Sequence, residues 1–384
     1  MTDATAGTTQ ELPCAECGAP LTFQPGVGQL QCQFCGTVNE IEGSGLQISP
    51  WGERTGAGPE IRELDYAEAI AGLLDATEIE ETQTIRCTGC GAEVTLDPGT
   101  LADNCPFCAT PMAKTDAHAH RHPKPQGVLP FAFEEREARD RMKTWLGSLW
   151  FAPNALKKYA EAGRPLNGVY LPHYTYDAIG DARYRGQRGD AYYVTRTRRV
   201  TVDGKTQTQS YQERKIRWSN VSGEVRHVFD DVLVPASETM SPTRGRAEYG
   251  GGSWDLAAME PYRTDYLAGF RAEAPALALD QGYAQANKVM EQTLKRDIKF
   301  DIGGDEQRIS AMDAQYSSIT FKHVLLPVWL ASYRFNNKPY SVVINGRTGR
   351  VTGERPYSVW KIAFAVIIGA LIAGGIGFLV ATGQ

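Results

Sequence analysis

All eight cysteines of this 384-residue chain occur in four pairs, and the members of each pair are separated by two residues. Two cysteines at this spacing can turn both sulfurs toward one point, and two such pairs complete a tetrahedral thiolate site for a metal ion. No cysteine is left over, which favours closed, structural sites over catalytic ones. The predicted ligands are Cys14, Cys17, Cys32 and Cys35 in one site, and Cys87, Cys90, Cys105 and Cys108 in the other.

The two groups of cysteines belong to a duplicated unit. Residues 12–38 align with residues 85–111, and 11 of the 27 aligned positions are identical. Both copies carry a Pro-Gly pair between their cysteine pairs, which predicts a turn that joins two short strands. Gly18, Gly36 and Gly91 each follow the second cysteine of a pair, where a tight turn favours a positive φ. The fourth such position holds Ala109 and breaks the pattern.

The sequence leaves the nature of these sites open. Zinc suits four thiolates at about 2.3 Å, and iron in a rubredoxin-like site has the same geometry. Disulfides are the third alternative, but an oxidised secreted protein would distribute its cysteines through the fold as cross-links. We expect two Zn²⁺ ions, with iron as the less favoured metal.

Charge divides the chain into two parts. Residues 1–120 carry 4 Lys and Arg against 18 Asp and Glu, whereas residues 121–384 carry 36 against 27. Affinity for nucleic acid depends mainly on basic side chains, so the acidic, cysteine-bearing part is poorly suited to it. A basic protein surface is the better electrostatic match, and we expect the cysteine units to dock on partner proteins.

Between and after the two units, the sequence predicts a helix and a linker. Residues 60–81 place apolar side chains at helical spacing, and the Gly-rich stretch 43–58 predicts a loop. His118, His120 and His122 alternate just before two prolines. An extended strand would place them on one face, where a metal could bind weakly, but a polar linker is the simpler interpretation.

Residues 127–356 combine helical and strand patterns. Apolar periodicity predicts helices over residues 134–150, 154–162 and 277–298. Asp203-Gly204 predicts a tight turn within a hairpin that spans residues 192–218, and a second hairpin is expected between residues 324 and 344.

Apolar runs that end in proline recur in this region, at Pro130, Pro172, Pro235 and Pro327. Proline at these places predicts strand ends, edges or bulges. The similarity of residues 168–178 to residues 323–333 indicates a second internal duplication.

The first predicted hairpin interleaves basic side chains with aromatic ones. Such a surface could bind single-stranded nucleic acid or another anionic partner, and an ordinary solvated sheet face is the alternative. The candidate residues, within the stretch 183–218, are Arg196, Arg198, Arg199, Arg214, Lys215 and Arg217.

The last part of the chain is strongly apolar. Residues 362–380 contain no charged side chain, and nineteen residues of helix rise about 28 Å, close to the roughly 30 Å hydrocarbon core of a bilayer. Basic residues precede this run, which predicts a single-pass membrane protein whose N-terminal bulk is cytoplasmic. Small residues four positions apart within the run suggest a homodimer through this helix.

Signatures of enzymes are weak. Gly204-Lys205-Thr206 resembles the end of a phosphate-binding loop, but Arg199 occupies the position of its leading glycine. His173, His227 and His323 are isolated in apolar strands, which favours structural roles. We expect no catalytic residues and no enzymatic activity.

The cysteine motifs CAECGA, CQFC, CTGCGA and CPFC, together with the segments GVYLPHYTYDA and HVLLPVWLASYRF, resemble those of the YdjG-like family of bacterial membrane proteins. Such proteins are often labelled as primosomal helicase-like or as transcription-factor-type zinc-ribbon proteins. The resemblance implies two zinc ribbons, a location at the bacterial cell membrane, and partnership with SPFH-domain and PspA-like envelope-stress proteins. The helicase label finds no support in these residues, because they lack a motor loop.

We therefore expect an α+β multidomain protein with two rubredoxin-like zinc ribbons, a β-rich α+β central domain and one C-terminal transmembrane helix. Its expected function is that of a non-enzymatic, membrane-anchored adaptor that recruits or scaffolds partner proteins, with a nucleic-acid-binding protein that uses residues 183–218 as the alternative. The predicted segments are ribbon 1 at 10–42, a loop and acidic helix at 43–82, ribbon 2 at 83–113, a His/Pro linker at 114–126, the central domain at 127–356 and the transmembrane helix at 359–381.

Overall fold

A computed structural model of the chain describes residues 12–41, 61–95, 102–108, 110–150, 166–202, 205–237, 254–335, 338–353 and 358–382. Most of its regular elements are strands, and the largest assembly is a nine-stranded sheet. The strands are β1 (Leu21–Gln24), β2 (Gln29–Cys32), β3 (Val38–Glu40), β4 (Leu64–Asp65), β5 (Ile79–Arg86), β6 (Glu93–Thr95), β7 (Ala102–Asn104), β8 (Pro111–Ala113), β9 (His118–Pro123), β10 (Gly127–Val128), β11 (Asn167–Val202), β12 (Lys205–Pro235), β13 (Glu260–Pro261), β14 (Arg271–Ala272), β15 (Glu306–Phe335), β16 (Lys338–Asn345) and β17 (Val351–Gly353). The helices are α1 (Tyr66–Ile70), α2 (Glu135–Ser148), α3 (Leu279–Ile302) and α4 (Val359–Thr382).

Three very long antiparallel strands dominate the large sheet. Strand β11 runs for 36 residues between β12 and β15. Its ladder with β15 ends at the pair Gly189↔Glu306, whereas its ladder with β12 continues to Val202↔Lys205. Residues 190–202 and 205–217 therefore form a two-stranded extension beyond the sheet, here called the arm. The predicted first hairpin is confirmed and is longer than expected, although its turn at Asp203-Gly204 lies outside the described residues.

Helix α3 covers one face of the long strands. Its buried residues recur every four positions at Ala286, Met290, Leu294, Ile298 and Ile302, which is the stripe expected of a helix that packs on a sheet. They pack against the aromatic face of β11. The predicted helices 134–150 and 277–298 are confirmed as α2 and α3. The predicted helix 154–162 lies outside the described residues.

The two cysteine units pack against opposite faces of the same part of the sheet. Tyr170 on β11 belongs to the core that contains Phe23 of ribbon 1. Its neighbour Val169 belongs to the core that contains Phe107 of ribbon 2. Adjacent residues of a strand point to opposite faces, so ribbon 1 covers one side of β11 and ribbon 2 covers the other.

Two of the proline positions have equivalent surroundings. Pro172 of β11 lies one residue beyond the last β11–β12 pair, His173↔Pro235. Pro327 of β15 lies one residue beyond the last β15–β16 pair, Val328↔Asn345. Each proline thus lies where the hydrogen-bonded pairing with a neighbouring strand ends. Proline fits there because it has no amide hydrogen to donate to that strand.

The predicted helix over residues 60–81 is wrong. Only Tyr66–Ile70 is α-helical, and Gly72 follows it at φ +71, a left-handed conformation that ends helices. Residues from Ile79 onward form β5, which pairs with β9. The predicted His/Pro linker is also partly a strand, because His118–Pro123 is β9. The predicted loop at residues 43–58 lies outside the described residues.

The predicted fold class also needs correction, because the chain is mostly β-sheet and its C-terminal helix does not support a membrane span. Helix α4 occupies Val359–Thr382. No helix in the described part of the chain is long and apolar enough to cross a membrane. The predictions of a transmembrane helix, of a single-pass membrane protein and of a location at the cell membrane are therefore wrong on this structure.

Candidate metal centres

The eight cysteines form two compact groups of four. In each group the four Sγ atoms all lie within 4.8 Å of one another, and all eight cysteines are free thiols. In ribbon 1 the Sγ atoms of Cys14 and Cys35 are 3.6 Å apart, and those of Cys17 and Cys32 are 3.5 Å apart. A tetrahedron of sulfurs around a metal at 2.3 Å has edges of about 3.8 Å, so these spacings fit a four-thiolate site. A disulfide needs sulfurs about 2.05 Å apart, so these pairs are not cross-linked.

Ribbon 2 repeats this geometry. The Sγ atoms of Cys87 and Cys108 are 3.5 Å apart, and so are those of Cys90 and Cys105. The predicted metal ligands are thus brought together in two groups that could each hold a metal ion, and the composition of the groups is consistent with zinc.

The same backbone hydrogen bonds build both sites. The amide of Cys14 donates to the carbonyl of Ala19 at 2.7 Å, and the amide of Cys87 donates to that of Ala92 at 2.8 Å. Gly18, Gly36 and Gly91 have φ between +72 and +77, as predicted for the residue after each pair. These turns aim two sulfurs of one pair at one point. Ala109, the exception to the glycine pattern, lies outside the described residues.

Threonine hydroxyls contact the last cysteine of each group. Thr37 Oγ1 lies 3.1 Å from Cys35 Sγ, and Thr110 Oγ1 lies 3.2 Å from Cys108 Sγ. Hydrogen bonds from the side chain and the backbone of Thr37 lower the pKa of the Cys35 thiol to about 6. The pKa of Cys108 is also lowered, by hydrogen bonds with Cys105 and, among others, with Thr110. Both contacts favour the thiolate, which is the form that binds metal.

The two sites differ in exposure. In ribbon 1, Cys17 and Cys35 are exposed, whereas all four cysteines of ribbon 2 are buried. All four cysteines of ribbon 2 belong to the buried cluster that includes Val169 and Leu171 of the sheet. Solvent and competing ligands can therefore reach the sulfurs of ribbon 1 more easily than those of ribbon 2.

The three alternating histidines lie on β9 but do not form a metal group. Their ring centroids are 6.4 Å apart for His118 and His120, and 5.5 Å apart for His120 and His122. His118 lies 3.4 Å from a carboxylate oxygen of Glu93, and His120 Nε2 lies 2.8 Å from the carbonyl oxygen of Pro275. Within the described ranges, none of these imidazoles belongs to a cluster with metal-binding spacing.

The predicted basic surface divides between the two faces of the arm. The cross-strand pairs Arg196↔Tyr211 and Arg198↔Gln209 lie on one face, because their β11 members are two residues apart. Lys215 and Arg217 share that face, whereas Arg199 and Arg214 lie on the other. Arg196 is paired with Glu213 at 2.9 Å, and Arg214 is paired with Glu306 at the same distance.

A buried ion cluster was not foreseen from the sequence. The Lys322 ammonium, only 6% exposed, lies 2.8 Å from Asp231, 2.9 Å from Glu63 and 3.3 Å from Asp177. Burial raises the pKa of Asp177 to about 6, against the lowering effect of hydrogen bonding to the Asp231 amide and of Lys322. These partners are far apart in the sequence, so no local pattern could have revealed the cluster.

Thr37 and Thr110 were missed as well, but the sequence carried a signal for them. Both are among the identical positions of the duplicated unit, two residues after its last cysteine. A hydroxyl kept at the same distance from a ligand in two copies indicates a role in orienting or polarising that ligand.

Comparison with known proteins adds a distant relative. No protein-family model matches the chain, and no solved structure matches it significantly. The uncharacterized protein YdjG of Bacillus subtilis strain 168 is 22% identical over 359 residues, which cover 91% of each chain. The chain is therefore similar to YdjG along nearly its whole length, and the description of that protein assigns it no activity.

Proposed function

We propose that the chain is a non-enzymatic zinc-ribbon adaptor that recruits or scaffolds partner proteins. The observation that carries this proposal is the use of all eight cysteines in two closed four-sulfur groups, each packed on the same sheet. A closed thiolate site leaves no coordination position for a substrate, so its metal acts on structure. Zinc is the metal proposed, because it favours tetrahedral thiolate sites and needs no redox partner.

The histidines support a non-enzymatic role. Burial lowers the pKa of His173 to about 4 and that of His323 to about 3. A general acid or base works best when its pKa is close to the working pH, and these two side chains are far from neutrality. Their positions in the core fit packing better than catalysis.

The proposed partners are proteins with a basic surface. The acidic residues 1–120 hold both ribbons, and their charge opposes binding to nucleic acid. Resemblance to the YdjG-like family makes SPFH-domain and PspA-like proteins the first partners to test. The 22% identity to YdjG over almost the full length supports the comparison with that family.

The test is purification of the tagged full-length chain from its own cells after nuclease treatment. We expect a stoichiometric protein partner with the wild type, and its loss with Cys35→Ser, which removes one exposed ligand of ribbon 1. Ser222→Ala, a change on an exposed position of β12, is the matched control and should retain the partner. Retention of the partner by a Cys35→Ser protein that has lost its metal would overturn the adaptor proposal.

The arm supports a second candidate, the binding of single-stranded nucleic acid. Arg198 lies over the ring of Tyr211 at 5.8 Å on an exposed face, and stacked bases use such aromatic and guanidinium surfaces. Replacement of Arg196, Arg198 and Arg217 by Ala should abolish salt-sensitive retention of labelled oligonucleotides if this candidate is right. No retention by the wild type at low salt would eliminate it.

A further inference from the structure

Phe34 and Phe107 occupy the same position of the duplicated unit, between the cysteines of the second pair, but their surroundings differ. Phe107 is 3% exposed, and it belongs to a buried cluster that includes Val169, Leu171 and Val328 of the sheet. Phe34 is 78% exposed. One copy of this phenylalanine is therefore buried within the chain, and the other is exposed to solvent.

Ribbon 1 leaves Phe34 exposed because it attaches to the sheet by a different side. Its members of the buried core are Leu21, Phe23 and Leu30 of the β1–β2 hairpin, together with Cys14, Cys32 and Ile41. Cys32 of the second pair is buried, but Phe34 and Cys35 after it are exposed, and Val38 is 50% exposed. We call Cys17, Phe34, Cys35 and Val38 the knuckle patch.

Charge restricts what can cover the knuckle patch. The described part of ribbon 1, residues 12–41, contains Glu16 and Glu40 and has no Lys or Arg. A divalent metal with four thiolates adds a net charge of about −2 beside Phe34. A partner that covers the patch must supply basic side chains next to its apolar contact, or the negative charges become costly to bury.

From these observations we infer that the knuckle patch is the partner-binding surface of ribbon 1, and that its occupant is a protein segment with aliphatic side chains flanked by Lys or Arg. The aliphatic part follows from Phe107, which is buried in a cluster that includes Val and Leu side chains of the sheet. The basic part follows from the charge of ribbon 1. This inference rests on the proposed adaptor function and names the surface that it uses.

The test places a photo-crosslinking phenylalanine analogue, p-benzoylphenylalanine, at position 34 of the full-length chain in its own cells. Position 300 is the matched control, because Phe300 on α3 is also exposed, at 90%. We expect position 34 to crosslink a segment of another protein in which Val, Leu or Ile lies next to Lys or Arg, and position 300 not to. An absence of crosslinks at position 34 above the control, an acidic crosslinked segment, or a crosslink to a second copy of this chain would overturn the inference.

A synthetic peptide with the crosslinked sequence then gives the affinity. Phe34→Ser in the metal-loaded chain should weaken binding by about tenfold or more, and Phe300→Ser should leave it unchanged. Equal binding by the two variants would also overturn the inference. If Phe34→Ser retains a metal-dependent partner as well as the wild type does, the knuckle patch is not the binding surface, but the adaptor function stands. If no metal-dependent partner is found at all, the adaptor proposal itself is wrong.

Discussion

Thr37 and Thr110 stand at the same position of two copies of one unit, and each hydroxyl lies within 3.2 Å of the sulfur of the last cysteine. A hydroxyl at this distance stabilises a thiolate and fixes the direction of its lone pairs. The contact adds no ligand to the site. Its effect is on how tightly the existing four sulfurs hold a metal.

Thr37→Val should weaken metal binding by ribbon 1. The variant keeps the shape of the side chain but removes the hydroxyl, and loss of such an orienting contact typically costs about 10-fold or more in metal affinity. Competition with a chromogenic chelator measures this affinity. Thr37→Ser, which retains a hydroxyl, should bind metal nearly as the wild type does, and equal affinities of all three proteins would contradict the role given to Thr37.

Metal release should occur in two phases of equal amplitude. Cys17 and Cys35 of ribbon 1 are exposed, whereas all four cysteines of ribbon 2 are buried, so a chelator reaches the first site sooner. Stopped-flow mixing with the chelator gives the two rates, and the total should be two metal ions per chain. Cys35→Ser should remove the fast phase alone. A single phase that accounts for both ions would show that the difference in exposure does not control release.

Acid should destabilise the fold through buried histidines. Burial, together with the nearby His122, lowers the pKa of His323 from 6.5 to about 3. The unfolded chain therefore takes up a proton that the folded chain resists, and the free energy of unfolding falls as the pH drops from about 6.5 toward 3. Urea unfolding at a series of pH values measures this slope.

His323→Gln isolates the contribution of that one residue, because loss of metal in acid affects both proteins alike. The variant should show a shallower fall of the free energy of unfolding below pH 6.5 than the wild type. Ser222→Ala, a change at an exposed position of β12 that involves no ionisable group, is the control and should leave the slope unchanged. Identical slopes for His323→Gln and the wild type would show that His323 does not resist protonation.

Lys322→Met should destabilise the fold by about 3 kcal/mol or more, because it leaves clustered carboxylates without their buried counter-charge. The loss should be smaller at acid pH. Burial already raises the pKa of Asp177 to about 6, and protonation below that value relieves the repulsion with Asp231. Chemical denaturation of the wild type and the variant on both sides of pH 6 measures the difference. A penalty that grows as the pH falls would contradict this account.

The sequence predicted the features that depend on local chemistry. Cysteine spacing identified the metal groups, the glycines after the cysteine pairs marked turns with positive φ, and helical periodicity located α2 and α3. The hairpin of β11 and β12 followed from the Asp203-Gly204 turn signal and alternating side chains.

The sequence did not predict features that depend on distant contacts. Residues 60–81 have the pattern of a helix, but Leu64 pairs with Phe321 and Ile79 pairs with Pro123, so tertiary pairing overrides the local preference. The same limit applies to Phe34 and Phe107. Their side chains are identical, and only the side by which each ribbon meets the sheet decides which one is buried.

Ribbon 1 is synthesised before the residues on which it packs, so it can bind metal before the sheet is assembled. Ribbon 1 is complete once residue 41 has been made, but its Phe23 packs on Tyr266, with ring centroids 5.4 Å apart, and Tyr266 is synthesised about 11 to 45 s later at 5–20 residues per second. During that interval the core that receives Phe23 is incomplete, because Tyr266 and Phe270 have not been made. The cysteines of ribbon 1 are therefore exposed to the metal and thiol chemistry of the surrounding solution before the long strands are assembled. The supply of metal during translation thus determines whether ribbon 1 is already folded when it packs on the central sheet.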